Sequence, residues 1–247
     1  MKYIFFILIL LNFDSNMYGQ HTVGIKLNAG LSNVLVRYNN GQTLHHKFYP
    51  QASYQSGIYY STSLSRKLKL GSEIIFIQIN GKEFIGIPFT DINGKPIDGF
   101  SFDTLWRHFS YVGLPIYVGY NYKKLNVNLG LQTNLRLGGN ISEKGGANNN
   151  GDTLTWKNKY TDLSGFDKFD FGLSAGFILN LNKNFALEGN YYYGINNILK
   201  NNPKFLKDKI RQLTVGLRVK CFTVNRKTKE KKIRSTKKDA NQKEDIL

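Results

Sequence analysis

Several features that define common protein classes are scarce in this chain of 247 residues. A single cysteine excludes a disulfide framework and a zinc ribbon. No segment reaches the roughly 18 consecutive apolar residues that indicate a transmembrane helix. The mean hydropathy of −0.36 also shows that the chain is too polar for a helical membrane bundle. Proline is also rare, whereas Tyr, Phe and Gly are abundant. This composition favours β-structure.

The first 19 residues have the layout of a secretory signal peptide. Lys2 supplies a short basic region, residues 4–11 form an apolar run of eight, and a polar stretch with small residues leads to Gly19. Eight apolar residues are too few to span a bilayer in a helix. We expect cleavage to leave Gln20 as the first residue, and the absence of a nearby cysteine excludes a lipoprotein anchor.

The body of the chain alternates apolar and polar residues with period two. Between residues 125 and 137, Leu125, Val127 and Leu129 begin one face, and Asn126 and Asn128 begin the other. Side chains on a strand point to alternate sides, so this pattern predicts strands with one apolar face. Eight segments follow it, some less regularly: 23–31, 52–64, 68–79, 110–120, 125–137, 169–181, 185–195 and 213–221.

The connections between these segments alternate strictly between short and long. Three short turns (65–67, 121–124 and 182–184) separate four long connections (33–51, 80–109, 138–167 and 196–212), which we expect to be loops. An outer membrane barrel has this asymmetry, with short periplasmic turns and long outer loops. An even number of strands places both termini on the periplasmic side.

The polar face distinguishes a membrane barrel from a soluble one. It is rich in Gly, Asn, Ser and Gln and carries few charges, which suits the crowded interior of a narrow barrel better than a water-facing surface. Aromatic residues cluster near the strand ends, where interfacial girdles belong. We therefore predict an all-β fold, an eight-stranded antiparallel up-and-down transmembrane β-barrel over residues 20–222.

Three stretches resemble the PorT-like outer membrane β-barrel family of Bacteroidetes. Residues 68–81 (LKLGSEIIFIQING) are similar to its strand with a central Glu, and residues 109–120 (FSYVGLPIYVGY) to its Tyr-x-x-x-Pro strand. The Gly-rich strand from Leu125 and the closing strands complete the resemblance, which implies the barrel fold and the outer membrane location. The family often has an acidic residue two positions before the strand proline. Gly113 stands there in this chain, which implies a smaller interior network.

Interior-facing charges are the main candidate functional residues. Because an unpaired charge in a barrel interior is costly, we predict that they pair in the lumen. We expect Arg136 near Asp170 and Glu188 near Arg218, on adjacent strands. A plug of salt bridges is the simpler interpretation, and a proton or ion path is the alternative. The predicted lumen charge network contains Lys26, Glu73, Arg136, Asp170, Glu188, Arg218 and Lys220, with Lys69 as a further inward charge.

The sequence predicts no catalytic residue, no metal site and no cofactor. His45 and His46 are adjacent in the first long connection, and adjacent histidines point in different directions. His108 ends the second long connection, and no nucleophile lies at a telling distance from it. Trp106 and Trp156 fall in long connections, where exposed aromatic residues can form a binding surface or pack the loops together.

Residues 223–247 form a basic tail that lacks the alternating pattern. They hold nine Lys and Arg against four Asp and Glu, and we expect a disordered periplasmic segment. The remaining excess of positive charge, within a formal net charge of +17, is divided between turns, loops and the lumen. No single basic stripe results, so no nucleic-acid partner is expected, whereas anionic lipid headgroups are.

These observations predict a non-enzymatic outer membrane barrel with a structural or surface-binding role. The alternative is an accessory component of a protein-secretion apparatus of the type IX kind, which would dock a partner through the outer loops or the basic tail. A third possibility is an outer membrane lipid-modifying enzyme. Outer membrane lipid is the expected partner in each case, and the sequence defines no oligomeric state.

Overall fold

The computed structural model describes residues 20–38, 45–90, 96–149, 152–199 and 206–225. These ranges contain nine β-strands. Among the described residues, no helix is long and apolar enough to cross a membrane. The strands are β1 (Gln20–Tyr38), β2 (His45–Ser63), β3 (Leu68–Thr90), β4 (Pro96–Tyr122), β5 (Leu125–Asn149), β6 (Asp152–Tyr160), β7 (Phe169–Asn180), β8 (Phe185–Gly194) and β9 (Leu206–Asn225).

The strands form one antiparallel sheet that closes on itself. Its order is β4-β3-β2-β1-β9-β8-β7-β5-β6, and a further pairing between β4 and β5 completes the ring. β6 and β7 share one position, because β6 pairs with residues 141–149 of β5 and β7 pairs with residues 125–135. The ring therefore has eight positions, as the sequence predicts, with the sixth divided into an upper and a lower strand.

The barrel is inside-out compared with a soluble β-fold. On β5, Asn126 and Gln132 are buried in the lumen, whereas Leu129 and Leu131 are exposed on the outer surface. The same distribution holds on β1, where Leu27 is 65% exposed and Lys26 only 4%. The predicted apolar face thus surrounds the barrel, and the predicted polar face fills it.

Three short turns define one end of the barrel, called here the turn end. In the first, the hydroxyl of Ser65 accepts hydrogen bonds from the backbone N–H groups of Lys67 and Leu68. In the third, the amide oxygen of Asn182 does the same for Asn184 and Phe185. These side-chain caps satisfy backbone groups that the tight turns leave unpaired. The described chain also begins and ends at the turn end.

At the opposite end, much of the described part of the long connections is strand, where we expected loops from the sequence. β3 and β4 remain paired from Leu68–Tyr120 to Thr90–Pro96, and β4 and β5 remain paired up to Phe100–Asn148. Trp106 and His108 therefore lie within β4. Regular patterning breaks down beyond the barrel because a sheet in solvent needs no uniformly apolar face.

Residues 81–90, 96–108 and 139–149, together with β6, form what is called here the protruding sheet. Trp156 lies within β6. β7 begins only at Phe169 and β8 ends at Gly194, so the barrel wall formed by these two strands does not extend as far as the wall formed by β3 to β5. The basic residues Lys157 and Lys159 lie on β6, which pairs only with β5 among the described strands. Lysines are a usual protection for such a sheet edge.

Candidate functional site

Four charged side chains meet in the lumen near the turn end, and they are called here the ionic layer. The Nζ atom of Lys26 lies 2.7 Å from Glu73 Oε2 and 2.8 Å from Glu188 Oε1. The Nε atom of Arg218 lies 2.7 Å from Glu188 Oε2, and its Nη2 atom contacts Glu73 Oε1. Each cation therefore bridges both carboxylates, and each carboxylate contacts both cations.

Two tyrosines hold the guanidinium of Arg218 in this layer. Its Nη1 atom donates a 3.0 Å hydrogen bond to the hydroxyl of Tyr117. Its Cζ atom also lies 4.7 Å from the ring centroid of Tyr59 and 5.7 Å from that of Tyr117, within cation–π range. A buried charge is tolerated when its hydrogen bonds are made, and this arrangement supplies them.

The structure brings together only part of the predicted lumen network. Arg136 donates hydrogen bonds of 2.9 and 3.1 Å to the backbone carbonyls of Leu163 and Phe166. Asp170 accepts one of 2.9 Å from Asn134 and one of 2.5 Å from Tyr192. Contrary to our expectation, no ion pair joins Arg136 to Asp170 in the described chain. The guanidinium of Arg136 is bound instead by backbone carbonyls of the connection between β6 and β7.

A second, apolar layer fills the lumen towards the protruding sheet, and the sequence analysis did not predict it. Its largest members, Tyr111 and Tyr192, are 1% exposed, and Phe109 and Ile77 are fully buried. Leu163 and Ile198 come from the segments before β7 and after β8. The continuous apolar run at 74–77 was the available signal, since both faces of β3 are apolar there. The layer contains Val34, Ile75, Ile77, Ile79, Phe109, Tyr111, Leu163, Tyr192, Ile198 and Ile210.

The apolar layer also accounts for the glycine that replaces an acidic residue in the resemblance noted above. A Cβ atom at Gly113 would lie 2.7 Å from the Cδ1 atom of Ile77 and 2.7 Å from the amide oxygen of Asn134. A carboxylate side chain would not fit between them. The smaller interior network implied by Gly113 is thus matched by aliphatic packing at this position.

Lys220, the last predicted member of the network, and Lys69 line a recess at the turn end. The recess is also lined by Thr22, Tyr59 and Ser61 and is partly open to solvent. Both lysines are half-buried. No ion pair joins either of them to a carboxylate in the described part of the chain.

The protruding sheet has a second ion pair and a cluster of two carboxylates on the face that continues the lumen. Arg107 Nη1 lies 2.6 Å from Glu83 Oε2, and both side chains are buried. Nearby, the indole N–H of Trp156 donates to Asp103 Oδ1 at 3.0 Å and to Glu143 Oε1 at 3.2 Å. Burial and the Glu143 carboxylate raise the pKa of Asp103, and the hydrogen bond from Trp156 opposes this rise.

The opposite face of the protruding sheet is basic. Lys82 lies over the rings of Tyr49 and Trp106, at 5.6 and 5.4 Å from their centroids. Lys144 pairs directly with Lys157 across β5 and β6, and both are exposed. The sheet therefore carries carboxylates on one face and lysines on the other.

The remaining candidates are in simple polar surroundings. His108 Nδ1 lies 2.9 Å from Asn80 Oδ1, and His21 Nδ1 lies 2.7 Å from the Tyr60 hydroxyl. The side chains of His45 and His46 lie outside the described structure, as do residues 1–19 and 226–247. Among the described residues, no group of three or more His, Cys, Asp or Glu side chains is placed to hold a metal.

A closed antiparallel ring with a polar interior and an apolar exterior defines the class of integral outer membrane β-barrels. The family model described as "Outer membrane protein beta-barrel domain" matches residues 14–200. The chain belongs to this family, and its location is the outer membrane. No curated protein matches the chain.

Three solved structures that are similar to the chain are distant from it in sequence. Neisserial surface protein A has a TM-score of 0.39 and 10% identity, with 81% of this chain and 97% of that one covered. Ail, the attachment invasion locus protein of Yersinia pestis, has a TM-score of 0.38 and 15% identity, with 83% of this chain and 100% of that one covered. The outer membrane protease OmpT of Escherichia coli has a TM-score of 0.37 and 9% identity, with 82% of this chain and 96% of that one covered.

Proposed function

We propose that the chain is a non-catalytic outer membrane barrel that binds a basic partner through the inner face of its protruding sheet. The observation that carries this proposal is the paired carboxylate cluster of Asp103 and Glu143 beside Trp156. Charge complementarity and an aromatic ring beside it are the usual means of holding a cationic group. The lumen next to the sheet is filled by the apolar layer, so the sheet is the surface available for binding at this end of the barrel.

The arginine on this face, Arg107, is engaged by another carboxylate. Arg107 is paired with Glu83 and is itself buried. Tyr160 donates a 2.7 Å hydrogen bond to Glu143 Oε2, and this bond raises the pKa of the tyrosine. The tyrosine therefore stays uncharged and does not cancel the charge of the carboxylate. Leu154, on the same face, is 72% exposed. A cationic partner would thus meet two carboxylates, an aromatic ring and an apolar side chain.

A short oligolysine peptide is a suitable probe, with the full chain in nanodiscs of zwitterionic lipid. We expect binding, measured by fluorescence anisotropy, to weaken at least about tenfold in Asp103→Asn/Glu143→Gln, because both charges are lost. Asp162→Asn is the control for loss of a carboxylate outside the cluster, since Asp162 is exposed and accepts a hydrogen bond from the Ser164 N–H instead. Equal binding by all three proteins would refute the proposal.

Several finer statements form part of this proposal. The chain would be a PorT-like protein of Bacteroidetes and would be exported with the predicted signal peptide at residues 1–19. Both of its termini would then lie in the periplasm. An epitope at the C-terminus should then be accessible to antibody only after the outer membrane is permeabilised. Accessibility on intact cells would contradict this orientation.

An accessory role in protein secretion is a second proposal, supported by the concentration of positive charge in residues 223–247. Deleting residues 226–247 leaves every described strand complete. Loss of secretion with normal barrel assembly would favour this role, and unchanged secretion would argue against it.

A further inference from the structure

The charges of the turn-end half of the lumen do not balance. Among the described residues, four cations point into it, and they are faced by two carboxylates, Glu73 and Glu188. Both carboxylates are already engaged by Lys26 and Arg218. The two remaining cations, Lys69 and Lys220, are left without a negative partner in the described lumen.

These two lysines lie in the same recess although they come from different strands. Lys69 is the second residue of β3, and Lys220 pairs with Gly24 near the end of β9. The positive charges of Lys220 and Arg218 are close enough to repel that of Lys69. Half-buried like charges that face one another destabilise a fold unless an anion lies between them.

The same recess also collects hydroxyl groups. The side chains of Thr22, Tyr59 and Ser61 line it. Two lysine side chains and three hydroxyl-bearing side chains thus line one space. No unpaired carboxylate of the described chain competes for it.

We infer that this recess is a binding site for a phosphate-type oxyanion. Charge-assisted hydrogen bonds from ammonium groups, supplemented by hydroxyl donors, are the usual recognition of phosphate oxygens. The carboxylates of the ionic layer lie deeper in the lumen than the recess and would keep such an anion from moving further in, because Glu73 and Glu188 repel it. The inference is independent of the proposed surface binding, since the recess opens at the other end of the barrel.

The test uses the full chain refolded into zwitterionic nanodiscs, with inorganic phosphate as the probe. At matched ionic strength, phosphate should raise the unfolding temperature more than chloride does, because only the folded recess binds it. We expect the apparent affinity to fall at least about tenfold in Lys69→Gln/Lys220→Gln. In chloride alone, this variant should be at least as stable as the natural chain, because the repulsion between the lysines is removed.

Lys67→Gln/Lys124→Gln is the matched control. It removes the same charge from the neighbouring exposed turns and should keep the full phosphate response. An equal response in both variants, or no response in the natural chain, would overturn the inference.

Two further arms identify the source of the oxyanion. Anionic phospholipid in the nanodisc should abolish the response to added phosphate if a lipid headgroup occupies the recess, and should leave it unchanged if free phosphate does. Deletion of residues 226–247 should not alter the response in zwitterionic lipid. A phosphate response that is seen only after this deletion would assign the recess to the chain's own acidic residues and overturn the inference.

Discussion

Around Arg218 the lumen is filled by charges, whereas around Phe109 it is filled by aliphatic and aromatic side chains. Gln55 and Gln212, which share a 2.5 Å hydrogen bond, lie between the two regions. The stability of the ionic layer depends on the matching of hydrogen-bond donors with acceptors, and that of the apolar layer depends on how well its side chains fill the available volume. One barrel interior therefore combines a component that is sensitive to any lost partner with one that tolerates conservative change.

The largest expected effect comes from breaking the ionic layer. Arg218→Met should lower the free energy of unfolding by about 3–5 kcal/mol, because two buried carboxylates then share Lys26 alone. Urea titration of the barrel in lipid vesicles, followed by tryptophan fluorescence, measures this. Adding Glu73→Gln to the variant should recover a substantial part of the loss, since one carboxylate then remains for one cation. A double variant that is less stable than Arg218→Met would contradict the pairing described.

The apolar layer should respond differently to truncation. Ile77→Ala removes fully buried aliphatic atoms and should cost about 2–4 kcal/mol, through lost transfer free energy and the cavity left behind. Ile77→Val should cost only about 1 kcal/mol. The same titration measures both, and neither loss should change with salt concentration. An equal cost for the two variants would show that this part of the lumen is not closely packed.

The smallest expected effect concerns the carboxylates of Asp103 and Glu143 in the protruding sheet, which form no ion pair among the described residues, unlike those of the ionic layer. The folded pKa of Asp103 is raised above its ordinary value of 3.8, first by burial and then by Glu143. Protonation therefore stabilises the folded sheet. This contribution is fully present below the unfolded pKa and is lost as pH rises through the raised folded pKa. The Asp103→Asn variant should lose this part of the pH dependence.

Trp156 fluorescence in a Trp106→Phe background reports on this site. The natural carboxylate should show a transition above pH 3.8, and Glu143→Gln should move the transition to lower pH because it removes a repelling charge. A transition that stays unchanged in Glu143→Gln would exclude the carboxylate pair as its origin.

The strand pattern predicted the barrel because every membrane-facing position must be apolar. That constraint made segments such as 125–137 readable from the sequence alone. It also predicted inward charges such as Lys26 and Glu188, since a polar face with few charges makes each one conspicuous.

Other features could not be derived from alternation. The strands continue beyond the membrane-facing region, where no apolar face is required and the period-two signal fades. The partner of Arg136 is a pair of backbone carbonyls, which leave no mark in the sequence. The apolar layer depends on Leu163 and Ile198, whose inward position follows from the tertiary path of two connecting segments.

The pairing of the first strand with the last has a consequence for assembly. β1 and β9 are joined along their whole described length, although they are almost 200 residues apart in sequence. Lys26 is carried by β1 and Arg218 by β9, so Lys26 reaches Glu188 on β8, and Arg218 reaches Glu73 on β3, only when the first and last strands are joined. Until that moment the nascent lumen holds uncompensated charge. Closure of the cylinder is thus the step that rewards correct threading, because a strand inserted one residue out of register would turn Arg218 towards the lipid.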